Sequence, residues 1–156
     1  MKRLALALMM LASPASAEPV RMAAAGSLRA ALHEVAVAFA ATPGGAPVAE
    51  TYGPSGLLRQ RIAGGEAQDV FASANMAHPE ALARGPVVRF ARNRLCALTR
   101  PGLSIAPQDL LARMLEPAMR VGTSTPRADP SGDYAFMLFA RAEALRPGAR
   151  AALEAK

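Results

Sequence analysis

The sequence predicts an α/β fold with a largely parallel sheet, and three observations carry that reading. Apolar runs of strand length alternate with helical patterns. The first two runs each end in a turn that holds both glycine and serine. A helical pattern follows each of those turns directly, as in strand-turn-helix units.

The chain opens with Met1-Lys2-Arg3, then an unbroken apolar run from Leu4 to Ala12, then the small residues Ala15-Ser16-Ala17. This order reads as a secretory signal peptide cleaved after Ala17. The apolar run is about half of the ~20 residues a bilayer-crossing helix needs, and Pro14 interrupts it. No later stretch is apolar for long enough to span, so residues 18–156 are expected to be soluble and released into a periplasm or outside the cell.

Val20 to Ala25 reads as a buried strand and Gly26-Ser27 as a turn. Leu28 to Ala41 follows as a helix with Leu28, Ala31, Leu32, Val35 and Phe39 on one face, ended by Thr42-Pro43-Gly44-Gly45. The second unit is Val48 to Tyr52 as strand, Gly53-Pro54-Ser55-Gly56 as turn, and Leu57 to Ala63 as helix, stopped at Gly64-Gly65. Asp69 to Ser73 reads as a third strand. Further on, Val87 to Thr99 is strand-like, and helical patterns cover Pro107 to Leu115, Tyr134 to Leu145 and Arg150 to Lys156.

Composition excludes several functions. Of 18 basic and 12 acidic residues, Lys2 and Arg3 precede the cleavage site, which leaves 16 against 12, a net charge of +4 over 139 residues. Arg59, Arg61, Arg84, Arg89, Arg92, Arg94, Arg100 and Arg113 are spread out, without aromatic residues between them to stack bases, so nucleic acid is not an expected partner. A weak pull on small anions remains. Neither Gly-x-x-x-x-Gly-Lys-Ser/Thr nor Gly-x-Gly-x-x-Gly is present, so the glycine-rich turns do not read as nucleotide sites. With one cysteine, Cys96, there is no internal disulfide. Its neighbours Leu95, Ala97 and Leu98 read as a buried strand, which makes Cys96 a small buried hydrophobe. His33 and His78 are far apart, lack a metal-ligand spacing and read as solvated, His78 in a loop before Pro79.

The two early turns place a serine at the same station, just ahead of a helix, where unpaired N–H groups and the helix dipole favour negative charge. Ser27 and Ser55 can each donate a hydroxyl to an oxygen while the adjacent glycines let the backbone come close. The alternative is that both are ordinary helix N-caps. A third serine and glycine precede a helix in Asp129-Pro130-Ser131-Gly132-Asp133-Tyr134.

Taken together, Ala24-Ala25-Gly26-Ser27-Leu28, Gly53-Pro54-Ser55-Gly56, Gln68-Asp69-Val70-Phe71-Ala72-Ser73-Ala74 and Asp129-Pro130-Ser131-Gly132-Asp133-Tyr134-Ala135 resemble the molybdate-binding periplasmic receptors of ABC transporters. The resemblance covers nearly all of the chain after Ala17. It implies a periplasmic-binding-protein-like fold of two lobes, each with a mostly parallel sheet flanked by helices, closing over molybdate or tungstate. The ion would be held by neutral donors, with molybdenum present only within the oxyanion and no separate cofactor. Ser27 and Ser55 would donate from the first lobe, and Ser131 would offer the backbone amide that alanine usually offers from the second. Asp69 would serve structure, since a carboxylate repels a dianion. The family's tyrosine ligand comes from later sequence, and neither Tyr52 nor Tyr134 matches it.

On this reading the signal peptide is 1–17, the first lobe 18–86, the crossover strand and hinge 87–99, and an incomplete second lobe 100–156. A fragmentary gene model, a frameshift or a short homologue that pairs with another chain each fits such an ending. The expected product is a monomer that serves a membrane permease and is not an enzyme. Neutral ligation rejects protonated phosphate, whose hydroxyl would face a donor, but does not reject sulfate. A sulfate or other anion receptor on the same fold is one rival. A serine hydrolase is another, although Leu57 stands where a Gly-x-Ser-x-Gly elbow needs its last glycine.

Overall fold

A computed structural model describes residues 17–156; the segment read as the secretory signal lies outside the described residues apart from Ala17. The chain runs β1 (Val20–Ala25), a single 3-10 turn (Gly26–Leu28), α1 (Arg29–Ala40), β2 (Val48–Gly53), α2 (Ser55–Ala63), β3 (Val70–Ala72) and α3 (Ala77–Leu82). After a long irregular stretch, a 3-10 turn at Pro107–Asp109 leads into α4 (Leu110–Leu115), followed by α5 (Pro130–Leu145) and α6 (Ala149–Glu154). The fold class is α/β, a small parallel sheet flanked by helices.

The sheet has the order β2-β1-β3 and both pairings are parallel, from Val20 opposite Val48 to Ala25 opposite Gly53, and from Met22 opposite Val70 to Ala24 opposite Ala72. The chain steps from β1 to one neighbour and then back across β1 to the other. Because crossovers are right-handed, this reversal sends the two connecting helices to opposite faces. The packing shows it. Met22 and Ala24 meet Leu28 and Leu32 of the α1 side, whereas Ala23 meets Leu58 and Ile62 of α2. Residues of β1 are thus buried alternately against both layers, and Ala23, Ala24 and Ala25 are small enough to bring both close.

A separate core holds the second half. Ala135, Phe139 and Ala142 of α5 pack on Ala149 and Leu153 of α6, with Leu111, Met114 and Leu115 of α4 alongside. The expectation of a sheet in each lobe holds for the first only: residues 100–156 fold as helices and turns, without a strand among the described residues. The strand predicted within 87–99 is also not formed, and Cys96 is exposed where a buried hydrophobe was expected. The apolar pattern there is real, but a strand needs a neighbour to complete its hydrogen-bond ladder, and the described residues supply none.

Two smaller corrections have local causes. On α1 the buried stripe runs through Leu28, Leu32 and Ala36; Val35 is 60% and Phe39 43% exposed, because a three-stranded sheet is too narrow to cover the wider face predicted. His78 and Pro79 lie in α3, not in a loop. Proline is tolerated in a first helical turn, where its missing N–H would have no intrahelical partner, and Ala83 in the left-handed region ends the helix. His78 is only 6% exposed and its Nε2 lies 3.7 Å from Asp133 Oδ2. Burial pushes its pKa below the ordinary imidazole value, against the pull of Asp133.

The halves meet at the start of α2. The Gly56 amide donates to the Ala128 carbonyl at 3.0 Å, and the Tyr134 hydroxyl donates to the Ala74 carbonyl at 2.8 Å. A Cβ at Gly56 would collide with the Arg127 and Ala128 carbonyl oxygens, so only glycine permits this approach. Gly56→Ala is expected to destabilise the chain by roughly 1–3 kcal/mol, read as a lower urea midpoint, and to expose Tyr134 to solvent quenching.

At the amino end of the strands, Asp69 clasps β3 to β1. Its carboxylate accepts from the Arg21 amide (2.8 Å) and from the Arg21 guanidinium (2.8 and 3.0 Å), while its own amide donates to the Arg21 carbonyl (2.9 Å). These bonds hold its pKa at about 2, below the ordinary 3.8. Because the folded value is the lower one, the clasp contributes fully above about pH 4 and is lost as pH falls toward 2. Acid titration followed by circular dichroism should therefore show a loss of stability between about pH 4 and pH 2 that is reduced in Asp69→Asn.

Candidate functional site

In open parallel sheets, ligands bind beyond the carboxyl ends of the strands, where the strand order reverses direction. Here that place lies beyond Ala25, Gly53 and Ala72, between the turns into α1 and α2 and the start of α5. A cleft of about 350 Å³ occupies it, and Ser27, Ser55 and Ser131 all line it. The three predicted residues, separated by 28 and 76 positions in the chain, are thus brought to one cavity. Asp69, at the other end of the sheet, lies away from it.

Each serine sits differently. Ser27 is exposed in the 3-10 turn after β1, and no side-chain hydrogen bond caps that turn. Ser55 is the first residue of α2, where Pro54 occupies the N-cap position and no side chain caps the helix. Its side chain is fully buried, and its Oγ accepts from the Ala74 amide at 3.2 Å. Neither is an ordinary N-cap, and the Ser55 hydroxyl, having accepted one bond, still has its own proton to donate.

Ser131 departs from its expected role. Asp129 is the N-cap of α5, and its Oδ1 accepts from the Ser131 amide at 2.9 Å, from the Ser131 hydroxyl at 2.9 Å and from the Ser124 hydroxyl at 3.0 Å. The Ser124 and Ser131 hydroxyls also touch each other. The amide expected to face a ligand is therefore committed to a carboxylate inside the cleft wall. Burial pushes the Asp129 pKa up, but the bonds from Ser131 and Ser124 outweigh it and hold the group below its ordinary value. Likewise the Gly56 amide, available in principle at the start of α2, is taken by Ala128.

The cleft also holds residues that the sequence reading did not assign to it: Arg29, Tyr52, Asn93, Asp129 and Tyr134. Arg29 was detectable as the first cation after Ser27, two positions on, at a helix start. Asn93 had no such signal, since the irregular segment that carries it reaches the cleft only by tertiary packing. An adjoining recess of about 470 Å³ shares Ser27, Ala74, Asn93 and Tyr134 and adds Arg89 and Arg92. The surroundings are rich in donors and cations, with one carboxylate. Neither His33 nor His78 lines either cavity, so Ser55 has no imidazole base beside it. Among the described residues, no cluster of three or more His, Cys, Asp or Glu side chains is placed to hold a metal ion, and no helix is long and apolar enough to cross a membrane.

Comparison with known proteins bears on this arrangement. An uncharacterized protein of Pasteurella multocida (strain Pm70) is 44% identical over 110 residues, which cover 67% of this chain and 46% of that protein. The chain thus spans about half the length of the curated relative it matches. A solved substrate binding domain, assigned to a molybdenum ABC transporter from Clostridium difficile, aligns with a TM-score of 0.40 and 28% identity over 42% of this chain and 28% of that one. Residues 20–156, which contain the described strands and helices and the cleft, match the bacterial extracellular solute-binding proteins, and the chain belongs to that family.

Proposed function

We propose that this chain acts as an exported receptor that captures a tetrahedral oxyanion, molybdate or tungstate, and delivers it to the permease of an ABC transporter. The observation that carries the reading is the convergence of Ser27, Ser55 and Ser131 on one cleft at the carboxyl ends of the strands. Membership in a solute-binding family supports a binding role over catalysis. The pattern of Met1 to Ala17 supports export to the periplasm, and the serine motifs support an oxyanion as the solute.

The chemistry follows from what the side chains can still donate. The exposed Ser27 hydroxyl and the proton that the buried Ser55 hydroxyl retains are available to donate to an anion that enters the cleft, and molybdate carries no competing proton. Such bonds to a charged acceptor are worth about 1.5–3 kcal/mol each. Ser131 joins only by exchanging its amide or hydroxyl from Asp129 to the ion. No cofactor is called for beyond the ion itself, and a single chain supplies all three serines, in keeping with a monomer.

Isothermal titration of residues 18–156 with molybdate, tungstate and sulfate tests this directly. Binding of molybdate or tungstate well above sulfate is the expected result. Sulfate preference would move the assignment to the rival anion, and silence toward all three would overturn it. Ser27→Ala and Ser55→Ala should each weaken binding by about 1.5–3 kcal/mol, with far-ultraviolet circular dichroism to confirm the fold, and unchanged affinity in both would remove the site assignment. Asp129→Asn keeps a capping oxygen for the Ser131 amide but removes a negative charge from the cleft wall. It should tighten anion binding severalfold, measured by the same titration.

A further inference from the structure

The resemblance that guided the sequence reading implies a site of neutral donors, yet the described cleft contains a cation. Arg29 lies two residues after Ser27, at the start of α1, and lines the same cavity as the three serines. Its guanidinium carbon stands 4.4 Å from the centre of the Tyr52 ring, a stacking distance for a cation on an aromatic face. No carboxylate pairs with Arg29 among the described residues. Glu50, bonded to the Tyr52 hydroxyl, feels the Arg29 charge but makes no direct ion pair with it, so the guanidinium N–H groups are not taken by a carboxylate.

Tyr52 is itself held in place. It is the next-to-last residue of β2, just before Gly53, and its hydroxyl donates to Glu50 Oε2 at 2.6 Å and lies 3.3 Å from the Arg29 carbonyl oxygen. Glu50 also holds His33 Nδ1 at 3.0 Å, which ties β2 to the next turn of α1. The platform under Arg29 thus links β2 to α1 beside the turns that carry Ser27 and Ser55, and Arg29 is the one cation among the described residues that line the cleft with the three serines. A planar guanidinium offers parallel N–H groups that match two oxygens of an oxyanion, which serine hydroxyls alone do not.

We infer that Arg29, stacked on Tyr52, sets the charge selectivity of this cleft, so that it takes doubly charged tetrahedral oxyanions in preference to singly charged ones of the same size. The inference rests on the oxyanion reading of the serine site and adds to it. Hydroxyl donors respond to ligand shape and to the lack of protons; a fixed cation responds in proportion to ligand charge. With Arg29 present, a dianion gains about twice the electrostatic attraction of a monoanion at the same position.

Tungstate and perrhenate separate these contributions, being tetrahedral, of nearly equal size and different in charge. The mature chain should bind tungstate well over perrhenate in low-salt titrations. Arg29→Gln should weaken tungstate about tenfold or more and perrhenate less, so that the ratio of the two affinities narrows, and the effect should shrink as salt is raised. Arg29→Lys, which keeps the charge but not the planar fork, should retain the salt dependence and most of the ratio. Tyr52→Leu, which removes the ring face under the guanidinium, should narrow the ratio as Arg29→Gln does, with circular dichroism to confirm folding. A tungstate-to-perrhenate ratio unchanged in Arg29→Gln overturns the inference and leaves the serine site standing. Binding of neither ion by the parent chain overturns both readings together.

Discussion

The whole arrangement depends on β1 being buried on both faces. A central parallel strand must pack a helix layer on each side, and Ala23, Ala24 and Ala25 meet that demand with side chains small enough for α1 and α2 to approach. Once β1 is central, right-handed crossovers send α1 and α2 to opposite faces. Both helices then begin at the same edge of the sheet, where the turns after β1 and β2 open side by side. The cleft is a consequence of that topology before it is a consequence of any particular donor.

What closes the cleft comes from far along the chain. Gly56 admits the Ala128 carbonyl at the start of α2, and Tyr134 reaches the Ala74 carbonyl beyond β3. Ala74 is thereby held twice, through its amide by Ser55 and through its carbonyl by Tyr134. The same residues that shape the cavity also join the sheet unit to the helical unit. A change in the cleft would be felt at that junction, and Asp133, which holds the Arg127 amide and faces His78, is part of it.

The electrostatic character of the cleft is mixed. Arg29 on its Tyr52 platform lines the same cleft as Asp129, whose charge is shared among three hydrogen bonds. On the proposed reading, an anion would compete with Asp129 for the Ser131 donors while being drawn by Arg29 and by the hydroxyls of Ser27 and Ser55. Binding affinity in such a site depends on small differences between large opposing interactions, which makes single substitutions there informative.

The sheet elements were legible because their signals are local. Apolar runs of strand length, glycine turns and helical periodicity marked β1, α1, β2, α2 and β3 to within a few residues, and the pairing of serine with glycine marked Ser27, Ser55 and Ser131 as one set. Other features depend on partners that no local pattern names. The apolar residues from Val87 to Thr99 look like a strand in isolation, but strand formation requires a neighbouring ladder, and Cys96 stays exposed without one. His78 looked like a loop residue until α3 packed it toward Asp133, and the Ser131 amide looked free until Asp129 folded back on it. The sequence by itself determined the parallel α/β units and the serines at their turns, since both follow from short-range periodicity and turn chemistry. Only the tertiary structure decided which donors remain unoccupied and which charges face the cleft, because hydrogen-bond commitments and the field at a cavity are set by residues distant in the chain.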